Sequence, residues 1–384
     1  MNRVFILGGQ RSHIGVKNGQ FKRILPEILG ATVLKQVIET YQLSQIDEII
    51  GGNVVGTGGN ITRLMALHAG LSENIVAYTV DMQCASASLC IDLAYQKIKS
   101  GQCDLVIAGG FESSSLQPQK SYHPHDPRYI TGHGTFSVSQ FSPHEQGENI
   151  MLLGAERVAQ AYQISKSELD FWTLESHHRA VRTRNEQLLE GIIVPINRSS
   201  KDEGIRDRMS QRIIDRLPSL VCQDGLIHAA NACLMNDGAA FVVLCSERYL
   251  NQSQLQAKAE ILQTTLVGGS PLQSPTLALK AMNQLLKSQR LDYDEISIFE
   301  VNEAFGVIDV LFEREHPQLI DRYNPFGGAL AYGHPYGASG AIILLHLLKG
   351  LEVFDGNYGV SSIAAAGGLG SAMLVRKVKH DELL

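Results

Sequence analysis

No run of apolar residues in this 384-residue chain approaches the about 20 that a membrane-spanning helix needs. Basic residues are in slight deficit, with a net charge of −6, so no strongly basic face for general nucleic-acid binding is implied. An anionic ligand would need a local cluster of Arg or Lys. The six cysteines, at 84, 90, 103, 222, 233 and 245, form no Cys-x-x-Cys pair and no zinc-like spacing. The glycine-rich loop Gly51–Gly59 lacks both a Gly-Lys-Ser/Thr ending and the G-x-G-x-x-G order, which leaves a structural turn rather than a phosphate cradle. The N-terminus enters the strand-like Val4–Leu7 without a charged lead or a cleavage site, so a reducing cytoplasm is the expected compartment.

What the chain has is a sharp junction at Cys84. Ile75–Val80 is rich in β-branched residues, as a buried strand should be. Beyond the cysteine, Ile91, Ala94 or Tyr95 and Ile98 recur at helical spacing, Lys97 and Lys99 fall in the last turn, and Gly101 stands where a C′ glycine would. A thiol between strand and helix meets free backbone N–H groups and the positive end of the helix dipole, which favour a thiolate. Two readings follow: a nucleophile, or the buried structural cysteine that free Cys often is.

The length allows two or three domain-sized units. Strands are expected over Arg3–Gly9, Ile46–Val55 and Asp104–Ala108, with a helix over Ile24–Tyr41, an alternation that indicates a layered α/β architecture. From Ser114 to His228 the texture turns polar, with a helix around Leu169–Gln187 and the charged run Lys201–Arg208. A solvated excursion covering a ligand site is the expectation there. Its histidines His123, His125, His133 and His144 fit no metal-ligand spacing. The α/β pattern returns at Asn236–Leu244 and Ala259–Gly269. A faint repeat then appears: Val4–Gly9 is echoed by Ile261–Gly269, Asp104–Gly110 by Val360–Gly368, and the Cys84 junction by Gly333–Gly340, which opens the wholly apolar helix Ala341–Leu348. Two similar halves would bring Cys84 and His334 together across a pseudo-twofold axis.

Five motifs in order carry a family resemblance: the Cys84 junction, Ala108-Gly-Gly-Phe-Glu-Ser113, Asn236-Asp-Gly-Ala239, Val301-Asn-Glu-Ala-Phe305 and Gly333–Gly340. The chain resembles a thiolase of the acetyl-CoA C-acetyltransferase type over nearly its whole length. The resemblance implies two stacked halves in an α-β-α-β-α sandwich with an inserted loop domain. The expected division is 1–113 with 229–252 for the first half, 114–228 for the insert over the coenzyme A site, and 257–384 for the second half. It also implies homodimers or dimers of dimers, acyl-CoA and coenzyme A as ligands, no further cofactor, and no nucleic-acid or membrane partner. By the same resemblance Cys84 takes the acyl group, His334 deprotonates it, and Asn302 holds a water that helps stabilise a thioester oxyanion. The backbone N–H groups of Cys84 and Ala366 would complete the oxyanion site. Arg206 matches an arginine beside the adenine of coenzyme A, and Cys233 stands where the family often has a serine touching the pantetheine arm.

One departure matters most. The family usually carries a second reactive cysteine before three glycines near the C-terminus, and here that position is Ala364. The family's cysteine deprotonates the α-carbon in condensation and protonates the leaving enolate in thiolysis. Alanine does neither. The reading is therefore an acyltransferase that acts on short acyl-CoA or 3-ketoacyl-CoA through a thioester on Cys84, with weak carbon–carbon chemistry expected. The alternatives are a protein that acylates Cys84 but has lost that chemistry, or a silent acyl-CoA-binding partner subunit. Cys233, Cys90 and His228 are the nearest stand-ins.

Overall fold

The computed structural model describes residues 2–131, 134–143, 147, 149–253 and 255–378. The first half builds β1 (Val4–Ser12), β2 (Gly15–Val16), α1 (Pro26–Thr40), β3 (Glu48–Gly52), α2 (Ile61–His68), β4 (Val76–Val80), α3 (Ser86–Lys99) and β5 (Leu105–Ser113). A long connection follows, with α4 (Ile150–Ala161), α5 (Lys166–Asn185), β6 (Ile193–Val194) and α6 (Gln211–Ile214), before β7 (Asn236–Ser246) and α7 (Glu247–Ser253). The second half contributes β8 (Ala259–Gly268), α8 (Leu277–Gln289), β9 (Ile298–Val301), α9 (Gly306–Glu315), α10 (Ala329–Tyr332), α11 (Ser339–Val353), β10 (Tyr358–Ala365) and β11 (Leu369–Lys377).

The strands join in the order β4-β3-β5-β7-β1-β8-β11-β10-β9. In the first half β3 runs parallel to β5, then β7 and β1 follow antiparallel. In the second, β9 runs parallel to β10, then β11 and β8 follow antiparallel. The repeat seen in the sequence is thus a repeat of topology, with β1 answered by β8, β5 by β10 and α3 by α11. The halves meet where β1 pairs β8, at Phe5 with Glu260 and Ile6 with Ala259.

Burial on both sheet faces explains the near-continuous apolar strands. Alternate residues of β5 and β7 point opposite ways: Val106, Ala108, Val242 and Leu244 pack inward on α3 and α11, whereas Leu105, Ile107 and Val243 pack outward on α1 and α2. On the far side α8 and α9 cover the second sheet through Met282, Leu285, Val307 and Phe312. The result is five layers, helix-sheet-helix-sheet-helix, with α3 and α11 in the middle. The all-round apolar α11 is buried at Ile342, Leu344, Leu345 and Leu348, as a central helix must be. Gly101, at φ +81°, ends α3 in the left-handed conformation expected of it.

The segment between β5 and β7 is less solvated than its composition suggests. The sequence pattern misses α4 entirely, and α5 buries Leu169, Trp172, Thr173, Ser176 and Ala180. Its polar residues are buried because they have partners across the halves: Trp172 Nε1 donates to Glu313 at 2.7 Å and the Ser176 hydroxyl to Glu303 at 2.6 Å. The charged run is tethered too. Asp202 accepts both guanidinium N–H groups of the fully buried Arg11, at 2.8 and 2.9 Å, and the Ile14 N–H at 2.7 Å. His123 and His125 stand with ring centroids 5.0 Å apart in an exposed loop, while His133 and His144 lie outside the described residues. Among the described residues no group of three or more His, Cys, Asp or Glu could hold a metal, and no helix is long and apolar enough to cross a membrane.

Candidate active site

The turn before Cys84 is built from short polar side chains. Asp81 accepts the Gln83 N–H at 2.8 Å, and Ser86 Oγ accepts from the Met82 N–H at 2.9 Å while donating to the Gln83 carbonyl at 2.6 Å. These bonds hold Gln83 at φ +51°, a conformation a non-glycine residue rarely adopts, so that the chain turns abruptly from β4 into α3. Cys84 lies just ahead of the helix and packs with Ile343 of α11 and with Ile363 and Ala365 of β10.

The helix terminus does not make Cys84 a resting thiolate. Burial pushes its thiol up to about 12, against the pull of the N–H groups of Ala366 and of Cys84 itself. The expectation of a thiolate stabilised by the helix end is corrected accordingly: desolvation outweighs the dipole at this depth. The N–H of Ala366 reaches the sulfur.

His334 is fully buried, and burial pushes its imidazole down to about 3, leaving it neutral. Its Nδ1 lies 2.6 Å from Ser339 Oγ, whose own proton goes to the Pro335 carbonyl at 3.0 Å. Ser339 can then only accept, so the imidazole proton sits on Nδ1 and Nε2 carries a lone pair. That Nε2 is buried with no hydrogen-bond partner among the described residues, as is Nδ2 of Asn302. Asn302 is fixed through its own N–H, which donates to the Ser362 carbonyl at 2.9 Å, and it lines a cavity of about 20 Å³ with Ser339 and His346, room for about one water.

The loop bearing His334 is seated through its backbone, by side chains that take up its N–H groups and by a close contact with the strands. Asn236 Oδ1 accepts the His334 N–H at 3.0 Å and its amide donates to the Gly15 carbonyl at 2.8 Å. A Cβ on Gly110 would come 1.9 Å from the Gly337 carbonyl oxygen, and one on Gly52 would come 2.5 Å from it, so only glycine lets this loop lie on β3 and β5. Glu112 fastens the same contact, accepting N–H groups of Val54 at 3.0 Å, Val55 at 3.3 Å and Gly337 at 3.1 Å. Burial raises its carboxyl to about 7 despite those donors.

Sequence reasoning missed Tyr336, Ser339 and the role of Glu112. Tyr336 stands edge-on to the His334 ring at 4.9 Å and within electrostatic reach of both Cys84 and Cys233, which makes it the link between the His334 loop and the thiols. The signal for Ser339 was present as a hydroxyl five residues after His334 in a tight turn. Glu303, a motif residue without an assigned task, braces the site from behind by accepting from Ser176 and, at 3.0 Å, from Asn324.

The other expected site residues divide. Ala364 lies on β10, its methyl in the apolar cluster on which Cys233 packs. Arg206 is exposed beside a cleft of about 530 Å³ that it lines with His177, Arg208, Ile213, Leu217 and Leu234. Its backbone N–H donates to His177 Nδ1 at 3.1 Å, and burial together with the Arg206 charge pushes that imidazole down to about 4. Cys90 is wholly buried in the central helical layer, and His228 is held at both nitrogens, by Asp170 at 3.3 Å and the Ala230 N–H at 3.2 Å. Neither opens on the site.

The chain as a whole matches known proteins. Residues 4–248 match the thiolase N-terminal domain and residues 255–377 the thiolase C-terminal domain. A probable acetyl-CoA acyltransferase of Staphylococcus aureus strain COL is 33% identical over 401 residues, covering 99% of this chain and all of the relative. One of Staphylococcus epidermidis is 34% identical over 98% of this chain and 99% of its own. The crystal structure of Bacillus anthracis acetyl-CoA acetyltransferase superposes with a TM-score of 0.93 at 27% identity, covering 98% of this chain and 99% of that one.

Proposed function

Because this chain belongs to the thiolase family and is an acyltransferase, we propose that it transfers acyl groups between short acyl-CoA or 3-ketoacyl-CoA and coenzyme A through a thioester on Cys84. His334 is the base. Its lone pair on Nε2, fixed there by Ser339, takes the Cys84 proton as the sulfur attacks, so that a neutral thiol becomes a nucleophile only in the presence of a carbonyl. The N–H groups at Cys84 and Ala366 and the amide of Asn302 supply donors for the oxyanion. The observation that carries the reading is the state in which His334 is held: burial keeps its imidazole neutral and Ser339 accepts the hydrogen bond from its Nδ1 proton, so Nε2 presents a lone pair.

The cleft beside Arg206 and Arg208 suits the nucleotide end of coenzyme A, with Leu234 on the path towards Met235 and His334. A homo-oligomer has support at β4, a sheet edge whose Val76 is exposed, with Leu64 and Leu67 of α2 also exposed. The six free thiols suit a reducing cytoplasm. Ala364 favours a second reading, in which Cys84 is acylated but carbon–carbon bonds are neither made nor cut.

Acetyl-CoA incubated with the protein should leave an acetyl adduct on Cys84 by peptide mass spectrometry and release free coenzyme A. An adduct on another cysteine, or none with any chain length tried, sinks the cysteinyl-thioester mechanism.

A further inference from the structure

We propose, on the premise that Cys84 is acylated, that Cys233 is the catalytic acid and base at the α-carbon, taking the place of the cysteine absent at Ala364. Its position follows from three separate contacts. The Cys233 N–H donates to the Ala304 carbonyl at 2.9 Å, and the Ala304 N–H in turn donates to the Asn302 carbonyl at 2.9 Å. Ala232, just before it, bridges Phe305, and Met235, two residues on, pairs with His334. The segment is therefore stitched to the Asn302 turn at one end and to the His334 loop at the other. Cys233 thus lies between Asn302 and His334, each of which has a buried side-chain nitrogen without a hydrogen-bond partner among the described residues. It also packs against the cluster that holds the Ala364 methyl, and it remains partly exposed, open to a ligand. Cys90 and His228 have no such access. The thiol missing from β10 is thus replaced by one on the segment that runs from the Asn302 turn to the His334 loop.

Burial and the nearby Cys84 sulfur raise the Cys233 thiol, which holds its proton until a carbanion arrives. In thiolysis His334 takes the Cys84 proton and the sulfur bonds to C3 of the 3-ketoacyl-CoA. The C2–C3 bond breaks with its electron pair going to C2, and the Cys233 S–H delivers a proton there, releasing acetyl-CoA. The proton of incoming coenzyme A restores Cys233, and the coenzyme A sulfur attacks the acyl group. Cys84 leaves and recovers its proton from His334. Condensation is the reverse, with the Cys233 thiolate removing the α-proton. No electron is gained or lost overall.

The test is thiolysis of acetoacetyl-CoA by the wild type, Cys233→Ala, Cys233→Ser and the double variant Cys233→Ala/Ala364→Cys. The wild type should turn over, and both single variants should lose about 10²-fold or more in kcat, the scale of one acid–base group. The acetyl adduct on Cys84 should still form in both single variants. The double variant should regain about tenfold or more, which a purely structural role for Cys233 would not give. Unchanged thiolysis in Cys233→Ala overturns the proposal. So does a wild type that is acylated on Cys84 yet cleaves nothing. Failure of the wild type to be acylated at all overturns the function proposed above instead.

Discussion

The two halves make the same turn and use it for opposite purposes. In each, the chain passes from a loop into a buried central helix, α3 or α11, and a proposed catalytic side chain, Cys84 or His334, stands ahead of it. In the first half that side chain is a part-buried thiol held protonated by desolvation, and in the second a fully buried imidazole held neutral by it. Neither is charged at rest. A duplicated fold thus supplies two helix N-termini to one place, and the chemistry depends on the copies having diverged. Divergence extends to the supports: Asp81 and Ser86 pin the first turn through their own neighbours, whereas Asn236, Ser339 and Glu112 hold the second from both halves.

The most severe way to break this pairing is His334→Ala. With no lone pair to receive the Cys84 proton, acylation should slow by about 10²–10⁴-fold, measured as the rate of coenzyme A release from acetyl-CoA. A loss under about tenfold would mean that Cys84 is activated by another group. The contrast with a thiolate–imidazolium pair can be sharpened without ligand. A thiol near 12 exposes a thiolate population that rises about tenfold per pH unit below that value. Alkylation of Cys84 by iodoacetamide should therefore accelerate steadily from pH 6 to 9, followed by mass spectrometry. A rate already level at pH 6 would show a preformed ion pair. The smallest effect concerns the cation that neither turn supplies. Arg206→Ala, in the segment between the halves, should weaken coenzyme A binding by about 1–2 kcal/mol in calorimetry. Unchanged affinity would place the nucleotide elsewhere.

The elements that alternation and glycine punctuation mark were legible from sequence, because local chemistry determines them: the β4-to-α3 turn, the all-apolar α11, the paired strands of each half. Cys84, His334 and Asn302 could be singled out through motif order. What was hidden rests on partners far apart in the chain. Asp202 reads as one charge in a mixed run until Arg11, 191 residues away, closes on it. Ser176 and Trp172 read as part of a solvated excursion until Glu303 and Glu313 meet them. The thiolate expectation erred for a related reason: a helix terminus is visible in sequence, but the depth at which it sits is not. Cys233 belongs to the same class, since its place between the Asn302 turn and the His334 loop depends on pairings with Ala304 and, through Met235, with His334.

The glycine contact beneath His334 has a mechanical consequence. Where Gly337 lies on Gly52 and Gly110, main chain touches main chain with no side chain between to act as a bearing. Such a seam has no slack. The halves cannot slide or hinge there without parting backbone from backbone, and Glu112 clamps the same spot. Cys84 and His334 are then held like jaws fixed at a set gap, and what give there is falls to the segment laid across the halves, which is tied down by side chains and by short stretches of backbone pairing rather than by such a seam.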